Sequence, residues 1–437
     1  MGMNKRINTI LIILFIILST AIHAQNLTEN EKDNILVKVI EKLEKIYPFP
    51  EISEKTITAL QLQISNGFYQ KYRSSNEFAT QVTLALEKSS NDKHLDLFFD
   101  PQLAQALLEE TSNSTDYTKE EAQNEIWNNY GFKELKILDG NIGYLNLSVF
   151  FATDYAGGMA DISMGYFINC NALIIDLRQN GGGWGDMVVY LLGYFIDTNE
   201  PLLLNIVEST LDSTIYSEVV PNYVPGNKLT DIPIYILTSQ STASAAEAFI
   251  SHMKYFNKNV TIIGKKTRGA ENPVEHVPID DNFVLQIPAW KKIYSKNPNV
   301  WEGVGINPDI EVEPNEALKT AQKKALEKLL TTSNDKTASE KYHWALDGIL
   351  ASYNNVHVNS IKNLSGNYGK IKIIFKDRKL YYQFEDRAVI QLTPISDNYF
   401  LVEGIDFFRI KFINTNNRII LKQIYSFGIE REYPKNE

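Results

Sequence analysis

The sequence predicts an α/β core between an N-terminal helical subdomain and a C-terminal antiparallel β domain. Three observations lead there. Before residue 90, apolar residues recur at helical spacing. From Ile137 to about residue 330, apolar strand-like runs alternate with helical ones, the pattern of a largely parallel sheet. Beyond residue 355, short alternating strands are separated by turn residues, the pattern of an antiparallel sheet or partial barrel.

The elements follow in chain order. Lys5 and Arg6 precede an apolar run from Ile10 to Leu18, then Ser19, Thr20 and Ala21. Residues 1–24 therefore read as a secretory signal peptide, cut near Ala24-Gln25. An exported protein, periplasmic or secreted, is expected. No Cys immediately follows the apolar run, so no bacterial lipid anchor is expected, and no later apolar stretch is long enough to span a membrane. Residues 25–90 form the helical subdomain, carried by Ile35, Val37, Val39, Ile40, Leu43 and Ile46, then Ile57, Leu60, Leu62 and Ile64, with a break at Tyr47-Pro-Phe-Pro50 and a third helix from Phe78 to Leu86.

Residues 91–330 form the core. His94–Phe99, Asn141–Leu147, Ala172–Leu177, Pro233–Leu237 and Val260–Gly264 read as strands. Gly157–Ile168, Met187–Ile196, Ala245–Tyr255 and Asn315–Leu330 read as helices. Residues 331–354 begin as a polar linker and end in a short helix. Residues 355–437 supply six short strands, from Ile371–Phe375 to Arg418–Ile424. Every candidate site residue precedes the linker, so the β domain is expected to be separable from the chemistry.

Charge narrows the partners. The formal net charge is −10, and removing Lys5 and Arg6 takes it to −12. An acidic chain argues against nucleic acid and against anionic membrane surfaces. The sole cysteine, Cys170, sits in an apolar run and reads as a small buried hydrophobe. No His, Cys and carboxylate cluster has metal-ligand spacing, so neither a metal nor an organic cofactor is expected.

The densest chemistry lies in Thr238-Ser-Gln-Ser-Thr-Ala-Ser-Ala-Ala-Glu247. An apolar strand runs into small hydroxyl residues and then into an Ala-rich helix. Ser244 falls at the helix N-terminus, where free amides and the helix dipole favour negative charge. A serine there can attack a carbonyl while amides hold the oxyanion. The plainer alternative is that Ser241, Thr242 or Ser244 is only an N-cap. Asp176-Leu-Arg-Gln-Asn-Gly-Gly-Gly183 reads as a strand-end loop. Its glycines permit close backbone approach, while the Lys-Ser/Thr of a phosphate loop is missing. Asp176 and Arg178 read either as a reactive ion pair or as a brace for the strand end.

These stretches, together with Asn129-Tyr-Gly-Phe132, Gly140–Leu145 and Trp301-Glu-Gly-Val-Gly-Ile-Asn-Pro-Asp309, resemble the tail-specific (C-terminal processing) serine protease family. The order and spacing also match, over roughly Leu27–Pro314. The nearest branch holds the tricorn core and the interphotoreceptor retinoid-binding protein repeats. The resemblance implies a ClpP/crotonase-like spiral of mostly parallel sheet and helices, acting on peptide or protein substrates.

It also implies roles. Ser244 matches the nucleophile. The lysine position of the Ser–Lys branch, just after Thr267-Arg-Gly269, is Ala270 here, which departs from that branch. His94 matches the base of the tricorn-like branch, with His276 as the rival, and Glu302 matches that branch's glutamate. Gly181 or Gly182 and Ala245 match the oxyanion amides. The chain between His94 and Gly140 is too short for a PDZ domain. Two alternatives share the fold: a carrier of hydrophobic ligands such as retinoid or fatty acid, and a pseudo-peptidase scaffold.

Overall fold

The computed structural model describes residues 26–109, 122–351, 358–415 and 418–436. The expected signal peptide, residues 1–24, lies outside the described residues. Among those described, no helix is long and apolar enough to cross a membrane. The chain divides into two compact units. The first joins the described residues up to 109 with Thr210–Asp212 and Val274–Ala289; the second holds the remainder.

In the first unit, helices Glu29–Ile46, Pro50–Ser65 and Ser75–Ser90 enclose a core of Leu36, Val39, Leu43, Leu60, Phe78 and Leu86. The sequence sets their ends. Thr28 and Glu31 form a reciprocal capping box, Pro50 opens the second helix, and Ser74 caps the third. Asn91 stops the third helix in a left-handed conformation. Strand Asp96–Phe99 pairs antiparallel with Phe283–Pro288, which pairs in turn with Val274–Pro278. Two strands from far along the chain thus complete this unit. The reading from sequence gave residues 274–289 no element and left them within the core.

The second unit is built on a six-stranded sheet. Its strand order is Ile310–Glu311, Val260–Gly264, Ile234–Thr238, Ala172–Asp176, Ile142–Leu147, Phe132–Leu138. All neighbours are parallel except the last pair. Strands Ala172–Asp176 and Ile234–Thr238 are buried throughout, as expected where helices cover both faces. Leu173, Ile175, Ile234 and Ile236 point into one apolar cluster with helices Thr153–Tyr166, Gly185–Phe195 and Ala245–Phe256. Ala172, Ile174, Tyr235 and Leu237 point into another with helices Pro314–Thr332 and Lys336–Leu350. A separate antiparallel sheet joins Trp290–Ser295, Leu202–Ser209 and Ile215–Val220.

The polar run 331–339 is mostly helical rather than a linker. Helix Pro314–Thr332 takes its first residues, and Asp335 caps the next helix by accepting from the Thr337 amide at 2.8 Å. Tyr342 and Ala345 then pack into the sheet cluster, so that helix belongs to the core face. Beyond it lies an eight-stranded antiparallel meander from Gly366–Tyr368 to Glu430–Pro434. The Asn436 amide donates to the Asn367 carbonyl at 2.8 Å, bringing the two edges together as a near-barrel. Phe400, Phe412, Leu380 and Ile410 fill its interior. Arg409 stacks on Trp344 at 3.8 Å and faces Asp347 at 3.4 Å, tying the barrel to helix Lys336–Leu350.

Candidate active site

Strand Ile234–Thr238 ends in a loop closed by its own hydroxyls. Thr242 Oγ1 accepts from the Ser239 amide at 3.0 Å and donates to the Leu177 carbonyl at 2.8 Å. The Ser239 hydroxyl donates to the Arg178 carbonyl. The chain then enters helix Ala245–Phe256 through Ser244, whose backbone sits at φ 54°, ψ −122°. An L-residue rarely adopts that conformation, and holding it costs on the order of 1–3 kcal/mol. Ser244 is half-buried at the first turn of the helix. The geometry is that of a sharp strand-to-helix turn presenting a serine.

The glycine loop lies directly against this serine. A Cβ added at Gly182, where φ is +119°, would stand 2.7 Å from Ser244 Cβ and 3.1 Å from the Ala245 nitrogen. One at Gly183 would stand 2.2 Å from the Phe150 carbonyl oxygen. Glycine is required at both. Buried Asn180 shapes the loop. Its Oδ1 accepts from the Gly182 amide at 2.8 Å, and its Nδ2 donates to the Leu147 carbonyl at 3.0 Å. Gly182 N–H is therefore engaged, whereas the Gly181 and Ala245 amides make no hydrogen bond among the described residues. Asp176 and Arg178 pair closely, and Asp176 also accepts from the Tyr144 hydroxyl at 2.8 Å. Arg178 further donates to the Pro314 carbonyl. This network braces the strand end.

Glu247, one turn into the helix, is fully buried. Its carboxylate accepts from the Ser244 amide at 3.0 Å, the Gly269 amide at 2.7 Å, the Ala270 amide at 2.8 Å and the Thr267 hydroxyl. Burial pushes this carboxyl above its ordinary range, and the four donors pull back toward the ionised form. Glu247 thus joins the serine turn to the Thr267-Arg-Gly269 loop. Ala270, at the lysine position of the Ser–Lys branch, is buried. Lys265 pairs with Glu311 and Glu313, and Lys266 is exposed.

Glu302 belongs to a reciprocal clasp. Its Oε2 accepts from the Glu271 amide at 2.6 Å and the Asn272 amide at 3.1 Å. Glu271 in turn accepts from the Trp301 amide at 2.8 Å and the Glu302 amide at 3.1 Å. Lys292 pairs with Glu271 and sits 4.7 Å over the Trp301 ring.

The histidines separate by environment. His252, on the serine helix, is buried against Asn297, and burial pushes its imidazole down to about 3, so it stays neutral. His343 is exposed on helix Lys336–Leu350, and His357 lies outside the described residues. His94 and His276 belong to the first unit. There His94 is buried, its amide donating to Asp92 Oδ1 at 2.9 Å and its carbonyl accepting from Gln286 Nε2 at 3.0 Å. Tyr47 donates to Asp92 Oδ2 at 2.8 Å. The Tyr-Pro-Phe-Pro break therefore helps hold the His94 turn. His276 is exposed, 3.2 Å from Gln286 and edge-on to Phe98.

The second unit thus gathers Ser244, Ala245, Gly181 and Gly182 at one turn, with Glu302 in the adjoining clasp. Asn180, Glu247 and Glu271 were assigned no role from sequence. The first two stood inside the quoted motifs, but each also reaches a group 20 or more residues away, Leu147 for Asn180 and the 267–270 loop for Glu247.

Residues 141–312 match the profile of peptidase family S41. A probable CtpA-like serine protease of Staphylococcus saprophyticus is 30% identical over 32% of this chain and 27% of its own length. The carboxy-terminal processing protease CtpB of Bacillus subtilis is 24% identical over 41% of this chain and 36% of its own length. The chain thus spans about a third of the length of these curated relatives. Among solved structures, a lipoprotein from Streptococcus agalactiae aligns with TM-score 0.43 and 16% identity, over 68% of this chain and 96% of its own. Residues 141–312, which carry the serine turn and the glycine loop, form a peptidase family S41 domain.

Proposed function

We propose that this chain is an exported serine peptidase that cuts peptide bonds through an acyl-enzyme. Ser244 Oγ attacks the peptide carbonyl. His94 takes its proton and passes it to the leaving amine, and water then releases the acyl group by the same route in reverse. The free amides of Gly181 and Ala245 hold the oxyanion, and Gly182, fixed by Asn180, gives the loop its close approach. Glu302 acts by holding the 271–272 turn through its amides.

One observation carries this reading: a serine in a rare backbone conformation at a helix N-terminus, against a loop that requires glycine at 182 and 183. The family match and the serine protease names of the relatives support it. The base is assigned from the order of motifs in the sequence. Assays of the mature protein on casein and a mixed peptide library test both points. His94→Ala is expected to lose most activity, with His276→Ala active. The reverse outcome moves the base to His276. A wild-type protein that cuts nothing but binds retinoid or fatty acid tightly replaces the peptidase reading with the carrier one.

A further inference from the structure

A cavity of about 730 Å³ opens where the glycine loop runs into helix Gly185–Phe195. Trp184, Tyr155, Tyr216, Glu218 and Val189 line it. Its place is set by the loop that presses on Ser244. Gly183 bridges to Phe150, and the next amide, Trp184 N–H, donates to the Phe150 carbonyl at 2.7 Å. The cavity mouth is therefore only a few residues along the chain from the proposed oxyanion amide.

The lining has a definite chemistry. Glu218 is partly buried, and that burial pushes its carboxyl up. Its Oε2 accepts from Asn205 Nδ2 at 2.6 Å. Its Oε1 has no partner among the described residues and faces the space left by Gly185, where an added Cβ would lie 3.3 Å away. Asn205, its support on the paired strand, is 3% exposed, and its own Oδ1 is buried without a hydrogen bond. Trp184 and Tyr216 remain 42% and 39% exposed, a large apolar outlay unless something covers their rings.

The other charges point the same way. Asp186 is occupied by Thr153, whose amide and hydroxyl both donate to it. Asp154 stands exposed at the rim. No Lys or Arg lines the cavity; nearby Lys292 is paired with Glu271, and its charge also draws the Glu218 carboxyl toward the ionised form. A partly buried carboxylate with one oxygen held by Asn205 and the other open, between exposed aromatic faces, is a site for a cation.

We propose that this cavity is a specificity subsite that receives the basic side chain of a peptide substrate, with Glu218 as acceptor and Trp184 and Tyr216 as walls. An arginine suits it best, since a planar guanidinium can donate to the carboxylate while stacking on a ring. The proposal rests on the peptidase reading for its substrate. Its test is separated from catalysis by using the full-length Ser244→Ala protein.

The experiment measures Kd by titration calorimetry for matched peptides that carry arginine, citrulline or glutamate at one scanned position. At one position the arginine peptide is expected to bind about tenfold or more tighter than the citrulline peptide, whose neutral urea carries a carbonyl oxygen in place of one NH2 group. In Glu218→Gln with Ser244→Ala that ratio collapses toward one. In Glu218→Arg with Ser244→Ala the preference moves to glutamate. Equal binding of arginine and citrulline peptides at every position overturns the proposal. So does an arginine preference that survives both Glu218 variants. If Glu218→Gln shifts Tm but leaves the ratio intact, Glu218 only balances the helix N-terminus. Failure of wild-type protein to cleave any of the peptides counts against the peptidase reading alone.

Discussion

The serine turn and the C-terminal near-barrel are held by different means. At the serine turn, order comes from polar groups: Glu247 with four donors, Asn180 across the glycine loop, Thr242 closing its own bend. Those bonds hold Ser244 in a conformation it would not choose alone. The barrel is ordered by apolar packing of Tyr368, Phe400, Phe412 and Leu380, with strands in consecutive order. The contrast teaches where errors are tolerated. A buried polar network fails when one partner is lost, because the others are left unpaired. An apolar core loses energy in proportion to what is removed.

The largest effect should follow from Gly182→Ala. Its methyl would stand 2.7 Å from Ser244 Cβ, at a φ that disfavours alanine. Peptide hydrolysis is expected to fall at least about 100-fold, since misplacement near 1 Å costs that much. Steady-state kinetics beside a melting curve separates this from unfolding. Near-normal kcat/KM would break the claim that the loop is fitted to the serine.

Phe412→Ala supplies the counterpart in the barrel. It should cost about 3–5 kcal/mol of barrel stability. Because no proposed catalytic residue lies there, kcat/KM per folded molecule should hold steady. A loss of rate without a loss of fold would show the barrel taking part in the site. A truncation after residue 351 sharpens the same point. One ending near 335 would also remove Tyr342 and Ala345 from the core cluster, and is expected to be the less stable of the two.

Glu247→Gln tests the polar side by pH. The native carboxyl titrates above its ordinary 4.5. The folded state therefore holds this proton more tightly than the unfolded chain does. The resulting stabilisation is complete below pH 4.5 and is lost as pH rises through the raised native value. The variant should lack this component of the pH–stability curve. It should also lose about 1–3 kcal/mol at neutral pH, because its amide group turns a donor toward donors. Urea melts from pH 4 to 8 would read both, and identical curve shapes would contradict the account of Glu247.

Legibility in the sequence followed the range of the interactions. The parallel strands Ala172–Asp176 and Ile234–Thr238 were readable because both faces are buried and the runs are continuously apolar. Most barrel strands were readable by alternation, and the two missed, Gly366–Tyr368 and Glu430–Pro434, are a very short edge strand and a largely exposed one. The pair Leu202–Ser209 and Ile215–Val220 went unassigned because Asn205 in the first and Ser217-Glu218 in the second interrupt the alternation of their apolar residues. Ser244 and its glycines were legible because turn chemistry is local. Glu247 and Glu271 were not, because most of their partners lie some 20 to 31 residues away and many are backbone amides, which no side-chain pattern records.

The central claim is that Ser244 is a nucleophile, and labelling tests it most directly. The mature protein is treated with a fluorophosphonate, digested, and the modified peptide mapped by mass spectrometry. The account predicts one adduct, on Ser244, that is absent from Ser244→Ala while that variant keeps its melting temperature within a few degrees. A cooperatively folded wild-type protein that takes no label, or takes it equally on another serine, would contradict it.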